Sequence, residues 1–319
     1  MLNFWNKVVY ELDCYQKVFV AVVVDHRKGS PGTKRALFLV TEAKEVVGTI
    51  GGGVMEANLI REAKELIAAG NHGPALRTLE HREGDFENRS GLICGGAQTL
   101  VTMVLKDRHR DLLHRLVKKL HYGKPGCLVL RSTGMELEEE DLKKPSVQLA
   151  GDGENWEARL GFLNRKRVLI SGGGHCGSAL ARQMDMLGFH VTVVEPREKP
   201  AGIGELPAHT LQRQLPYATA GTEIAYPQFT CAVVMTPSYA EDVEVLTALL
   251  PLDLPFVGAM GSPAKLKKIK DQLLANGLTN ETLKRLTAPV GLPIESDTPE
   301  EIAVSVAAQI LHRVKELQF

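Results

Sequence analysis

Between Lys17 and Asp25 stands a nearly unbroken run of β-branched residues, Val18-Phe19-Val20-Ala21-Val22-Val23-Val24, which predicts a buried strand. Residues 36–40 and 46–50 are two further apolar runs. The polar stretch Thr41 to Glu45 joins them, so they read as a hairpin. Gly51-Gly52-Gly53 ends the second run. From Val54 the spacing becomes helical, with Met55, Leu59, Ala63, Leu66 and Ile67 on one face, and it stops at Gly70. Residues 75–81 and 97–105 predict a second strand pair around a charged loop at 82–90. Residues 107–121 predict an amphipathic helix with Leu112, Leu113, Leu116, Val117 and Leu120 inward, and 127–130 another strand. The stretch from Arg131 to Leu160 is polar and acidic at Glu138-Glu139-Glu140-Asp141. It predicts a closing hairpin plus a linker, with the acidic run as a solvated loop.

From Lys166 the grammar changes. Strands at 167–171, 190–195, 230–236 and 256–260 alternate with helices at 175–187, 241–250, 264–276, 281–286 and 300–316. Such alternation requires parallel strands joined by helical crossovers. Thr298 as N-cap, Pro299 and Glu301 form a start signal for the last helix. The fold class is therefore α/β: a doubly wound, Rossmann-type parallel sheet preceded by a strand-rich α+β domain. The expected domains are residues 1–160 and 161–319.

Composition adds exclusions. At 319 residues, 44% hydrophobic and 24% charged, the chain is neither disordered nor a disulfide-built miniprotein. Lys+Arg and Asp+Glu both total 38, which gives no broad electrostatic reason to bind nucleic acid or an anionic membrane. No apolar stretch approaches the roughly 20 residues that span a bilayer, and no secretory signal opens the chain. The five cysteines, Cys14, Cys94, Cys127, Cys176 and Cys231, lack CxxC spacing, so a reducing cytoplasm is the expected compartment.

Gly172-Gly173-Gly174-His175-Cys176-Gly177 contains G-x-G-x-x-G, and here it follows a predicted strand and opens a predicted helix. Gly172 suits a tight turn, Gly174 close approach to a pyrophosphate, and Gly177 close helix–strand packing, with the helix N-terminus receiving the anion. His175 is placed to meet a phosphate. Glu195 lies 23 residues past Gly172, near the roughly 20-residue offset of a ribose-binding carboxylate. It favours NAD, whereas Arg197 suits the 2′-phosphate of NADP. No acid or base for hydride transfer accompanies this turn, which counts against an NAD(P)-dependent oxidoreductase. A nucleotide-sensing regulatory protein is the other alternative.

The first half carries its own glycine turns. Gly51, Gly52 and Gly53 follow a strand and precede a helix, and such a run exposes N–H groups as an anion nest. Glu56 then caps the helix or meets a ligand. Cys94-Gly95-Gly96 holds the thiol with most chemical promise, since flanking glycines leave its sulfur uncrowded and nearby amides favour thiolate. A thiolate is a soft metal ligand and a carrier of sulfur. Free cysteines nevertheless more often serve as packing.

Taken together, these blocks resemble the XdhC/CoxI family. The resemblance runs through Gly48-Thr49-Ile50-Gly51-Gly52-Gly53 with Glu56, Cys94-Gly95-Gly96, the turn Gly172 to Gly177 and Phe256 to Ser262 with Lys265. It ends with Ala288 to Leu292 and Thr298 to Ala303. It implies an accessory protein that binds the molybdenum cofactor (molybdopterin) and assists its sulfuration by a cysteine desulfurase. It also implies delivery to xanthine dehydrogenase or a related molybdenum hydroxylase, with Cys94 near the metal. Where many relatives carry Thr-His-x-His-x-x-Asp, this chain has Thr236-Pro237-Ser238-Tyr239-Ala240-Glu241-Asp242, so only Thr236 and Asp242 remain. Val54 stands where some relatives have a cysteine. Sheet edges in the first half make a homodimer the expected assembly.

Overall fold

Strand β1 dictates the layering of the first unit. In the computed structural model, which describes residues 1–27, 30, 33–43, 45–80, 96–140, 146–200, 202 and 206–316, the chain divides into two units, Met1–Leu163 and Asn164–Phe319. The first unit comprises α1 (Leu2–Tyr15), β1 (Lys17–His26), β2 (Leu37–Thr41), β3 (Val46–Gly48), α2 (Gly53–Ala69), β4 (Ala75–Glu80) and β5 (Ala97–Lys106). It continues with α3 (Arg110–His121), β6 (Gly126–Arg131), β7 (Gly134–Glu138), β8 (Val147–Asp152) and β9 (Asn155–Phe162). Antiparallel pairing gives one sheet of order β3-β2-β1-β5-β4 and a second of order β7-β6-β9-β8.

β1 is apolar without alternation because both its faces are covered. Phe19, Ala21 and Val23 pack with Met55, Leu59, Ala63 and Ile67 of α2. Val18, Val20, Val22 and Val24 pack with α1, α3 and the second sheet. Each such side chain contributes about 1.5–3 kcal/mol on full burial. The opening helix α1 is absent from the reading of the sequence, although Phe4, Trp5, Val8, Val9 and Leu12 lie on one helical face and are buried.

The stretch 131–160 departs from expectation. The closing hairpin is present as β8 and β9, but the rest of the stretch is no linker: β7 pairs with β6, and β9 joins the hairpin to β6. Of the acidic run, Glu138 ends β7, while Glu139 and Glu140 follow it outside any strand and the Glu139 side chain is 88% exposed. Glu138 and Glu140 pair with Arg159 at 2.6 and 3.3 Å, and Glu139 pairs with Lys119 at 2.8 Å. The carboxylates neutralise arginines standing on β6 and β9. Asp141 lies outside the described residues.

The second unit comprises β10 (Arg167–Ser171), α4 (His175–Met186), β11 (His190–Val194), β12 (Leu211–Arg213), β13 (Thr230–Val234), α5 (Tyr239–Leu249) and β14 (Phe256–Ala259). It ends with α6 (Pro263–Ala275), α7 (Asn280–Leu283), β15 (Leu286–Thr287) and α8 (Pro299–Glu316). All six strands are parallel, in the order β12-β11-β10-β13-β14-β15. Numbered within the unit this is 3-2-1-4-5-6, the Rossmann order, with its switch point between β10 and β13. One face is covered by α4 and α8, the other by α5 and α6. Thr298 caps α8 as expected: Glu301 N donates to Thr298 Oγ1 at 3.2 Å, and Thr298 N donates to the Glu301 carboxylate at 2.9 Å. Among the described residues no helix is long and apolar enough to cross a membrane.

Candidate functional site

The first-unit turn is a formed anion receptor. Gly51, Gly52 and Gly53 take φ of 131°, 79° and 70°, values that only glycine adopts without strain. Their conformation turns the amides of Ile50 and Gly52 toward one point, where the Glu56 carboxylate sits. A single oxygen, Oε1, accepts from Thr49 Oγ1 at 2.6 Å, Ile50 N at 2.8 Å and Gly52 N at 2.8 Å. Glu56 thus caps α2 and occupies the nest at once. Partial burial pushes its carboxyl upward, but the hydrogen bonds together outweigh that and hold it below the ordinary carboxylate range.

A depressed carboxyl contributes stability that is complete above its unfolded-state pKa and lost as pH falls through the folded value. Glu56→Gln is therefore expected to flatten the acid limb of the unfolding curve and to cost about 1 kcal/mol near neutrality, as loss of a helix cap does. Chemical denaturation of both proteins between pH 3 and 7 checks this.

Gln98 is a site neighbour that the sequence reading missed. Fully buried at the start of β5, it donates to Ile50 O at 3.1 Å and accepts from Ser30 Oγ at 3.2 Å. It therefore ties the glycine turn to the basic loop after β1. Its partners stand 48 and 68 residues away in sequence, so no local signal points to such a role. Gly96 is buried two residues before Gln98. Cys94 and Gly95 lie outside the described residues.

In the second unit the fingerprint glycines sit as their spacing requires. A Cβ on Gly172 would lie 2.3 Å from Met235 O, and one on Gly177 would lie 1.8 Å from Gly172 O, whereas one on Gly174 would meet nothing within 4 Å. The space a phosphate needs is at Gly174. No side chain caps α4, whose N-cap is Gly174, and its first turn holds no acid. Those amides and the helix dipole suit an anion. His175 is exposed beside them. Gly202 comes close to the turn: a Cβ there would stand 3.3 Å from His175 N.

Glu195 directly follows β11 and is 4% exposed. Its carboxylate accepts from Gly173 N at 2.7 Å, from Arg197 Nε and NH2 at 2.8 and 2.7 Å, and from Tyr217 Oη at 3.3 Å. Burial pushes it up, yet Arg197 and the Gly173 amide prevail and keep it below the usual carboxylate value. A ribose diol would have to replace the Arg197 fork. Arg197 holds Glu195 through Nε and NH2, and its side chain remains 46% exposed. Cys176, half-buried on α4, has its thiol pushed up by burial and by Glu300, the state of a packing residue.

The loop from Thr236 to Asp242 lies beside this turn, a Cβ on Gly172 standing 3.1 Å from Thr236 N. Thr236 Oγ1 is 2.5 Å from Asp242 Oδ1, and Thr236 N donates to the same oxygen at 3.3 Å. Asp242 Oδ2 pairs with Lys265 Nζ at 2.6 Å. Ser238 and Glu241 form a capping box on α5.

The chain thus joins an α+β unit, whose glycine turn gathers amide donors, to a Rossmann unit whose glycine turn has no side-chain cap. Comparison with known proteins makes this particular. A model described as the XdhC and CoxI family matches residues 14–80, and one described as the XdhC Rossmann domain matches residues 168–310. The chain belongs to the XdhC and CoxI family. It is similar to the uncharacterized protein YqeB of Escherichia coli (strain K12), at 26% identity over 299 residues, covering 92% of this chain and 42% of that protein. It is also similar to a probable xanthine dehydrogenase subunit from Bacillus subtilis (strain 168), at 30% identity over 162 residues, covering 48% of this chain and 44% of that protein. The chain thus spans less than half the length of these curated relatives. The fold is shared with a crystal structure described as a xanthine dehydrogenase from Bacillus halodurans, with a TM-score of 0.68 at 20% identity over 99% of this chain and 96% of that one.

Proposed function

We propose that this chain is an accessory protein for xanthine dehydrogenase or a related molybdenum hydroxylase. In this reading it binds the molybdenum cofactor by its phosphate and assists sulfuration, with a cysteine desulfurase as sulfur donor, before insertion. Family membership supports the partner class. The observation that carries cofactor binding is the nest at 49–56, where three donors already converge on one carboxylate oxygen. A carboxylate oxygen and a phosphate oxygen present the same acceptor to such donors, so the residues fit the phosphate once Glu56 swings aside. The bound group would supply a molybdenum centre and an oxidation-prone dithiolene. Ile50 and Gly52 would hold the anion by their amides, Gln98 would keep the turn in place, and Cys94 would offer the thiolate.

The Rossmann unit supports a second phosphate-bearing ligand, NAD or NADP, at the turn Gly172 to Gly177. The switch-point placement and the open space at Gly174 favour it. Nucleotide there is read as structural or regulatory, because the sequence pairs no hydride-transfer acid or base with this turn at a useful spacing.

The test is purification of the full chain from a molybdopterin-producing host, followed by acid iodine oxidation and pterin fluorescence. Wild-type protein is expected to carry pterin, and Cys94→Ala to retain at least tenfold less. Wild-type protein free of pterin overturns the reading.

A further inference from the structure

Lys265 stands where helix electrostatics disfavour a cation. It occupies the third position of α6, behind the N-cap Ser262 and Pro263, in a first turn with no acid. The dipole there is positive and repels an ammonium. Helical side chains lean toward the N-terminus of their helix, and the Lys265 stem does so, passing 3.1 Å from where a Cβ on Gly261 would sit. The ammonium is thereby carried back to the C-terminal edge of the sheet. There it meets Asp242, which is fully buried and brought in from the first turn of α5.

This pair is continuous with the glycine turn. A Cβ on Gly172 would lie 3.1 Å from Thr236 N, and Thr236 bonds Asp242 through both its amide and its hydroxyl. Lys265 is consequently one residue removed from the strand ends where a ligand lies in this fold, on the β13–β14 side of the switch point. A lysine has three donors. Asp242 takes one, and the side chain remains 25% exposed. The N-termini of α4, α5 and α6 all face this edge, since each follows a parallel strand, so the local potential suits an anion.

We infer that Lys265, oriented by Asp242, is the oxyanion-binding side chain of the Rossmann cleft and takes a phosphate or carboxylate of the ligand that lies across the ends of β13 and β14. The inference rests on the reading of this cleft as a ligand site. It also gives Thr236 and Asp242 a role: they hold a lysine.

The test is calorimetric titration of the full chain at low ionic strength with inorganic pyrophosphate and, separately, with oxalate. The two arms distinguish a phosphate from a carboxylate source. Wild-type protein is expected to bind at least one probe. Lys265→Gln should weaken that binding at least tenfold, and Lys265→Arg should stay within threefold of wild type. Lys268→Gln, the same charge change at an exposed position of α6, should leave binding unchanged. The double variant Lys265→Gln/Asp242→Asn removes both charges together and should melt cooperatively yet bind as weakly as Lys265→Gln. Equal binding by wild type and Lys265→Gln overturns the inference alone and makes the lysine a strut. Failure of wild-type protein to bind either probe overturns the inference together with the reading of the cleft.

Discussion

Gly177→Ala is expected to destabilise the second unit by more than about 3 kcal/mol, because the added methyl would stand 1.8 Å from Gly172 O and 3.0 Å from Gly172 C. Both obstacles are backbone in the tightest part of the fold, so no rotamer change relieves them. Relief requires separating α4 from β10, which opens the core around Ile170 and Leu180. Gly174→Ala is the contrast. Its φ is −71°, an ordinary value for any residue, and its Cβ would meet nothing within 4 Å. That variant should lose less than about 0.5 kcal/mol while filling the space that a phosphate would take. Urea unfolding of both variants separates packing from binding; a Gly177→Ala protein as stable as wild type would contradict the packing described for the turn.

Asp242→Ala is the second large effect. The carboxylate is fully buried and binds Thr236 twice and Lys265 once. Breaking a buried pair by removing one partner costs about 3–5 kcal/mol, and solvent around the quarter-exposed lysine lowers that to about 2–3 kcal/mol. For a unit of this size the melting temperature should fall by about 4–12 °C. Asp242→Asn keeps the acceptor for Thr236 and should lose less. Thermal melts of the two variants check the order.

The Rossmann unit was legible because its signals are local: a strand, then glycines, then a helix, repeated with caps such as Thr298 and Glu301. The short strands β12 and β15 were not, since two or three residues carry no period and acquire strand geometry only by pairing with β11 and β14. The stretch 131–160 was misread because its strands show one half-buried, charge-bearing face, and arginines on β6 and β9 match the acids only across strands. At the sites, glycine spacing revealed which backbones approach closely. Glu56 was readable as a cap of α2, but nothing in one dimension reveals that Glu195 reaches the Gly173 amide, nor that Gln98 crosses from β5 to Ile50.

The position of Glu56 has a consequence for motion in the first unit. One carboxylate both closes the nest and caps α2, so under the proposed reading an incoming oxyanion would compete with Glu56 for the same donors. When the visitor wins, Glu56 is expelled to water and the start of α2 keeps its order only through the newcomer's contacts. When the visitor leaves, the carboxylate returns and no donor is stranded. Amide hydrogen exchange around Ile50 and Gly52 thus becomes a reporter of occupancy, insensitive to which guest is present and sensitive to how completely it replaces the resident carboxylate.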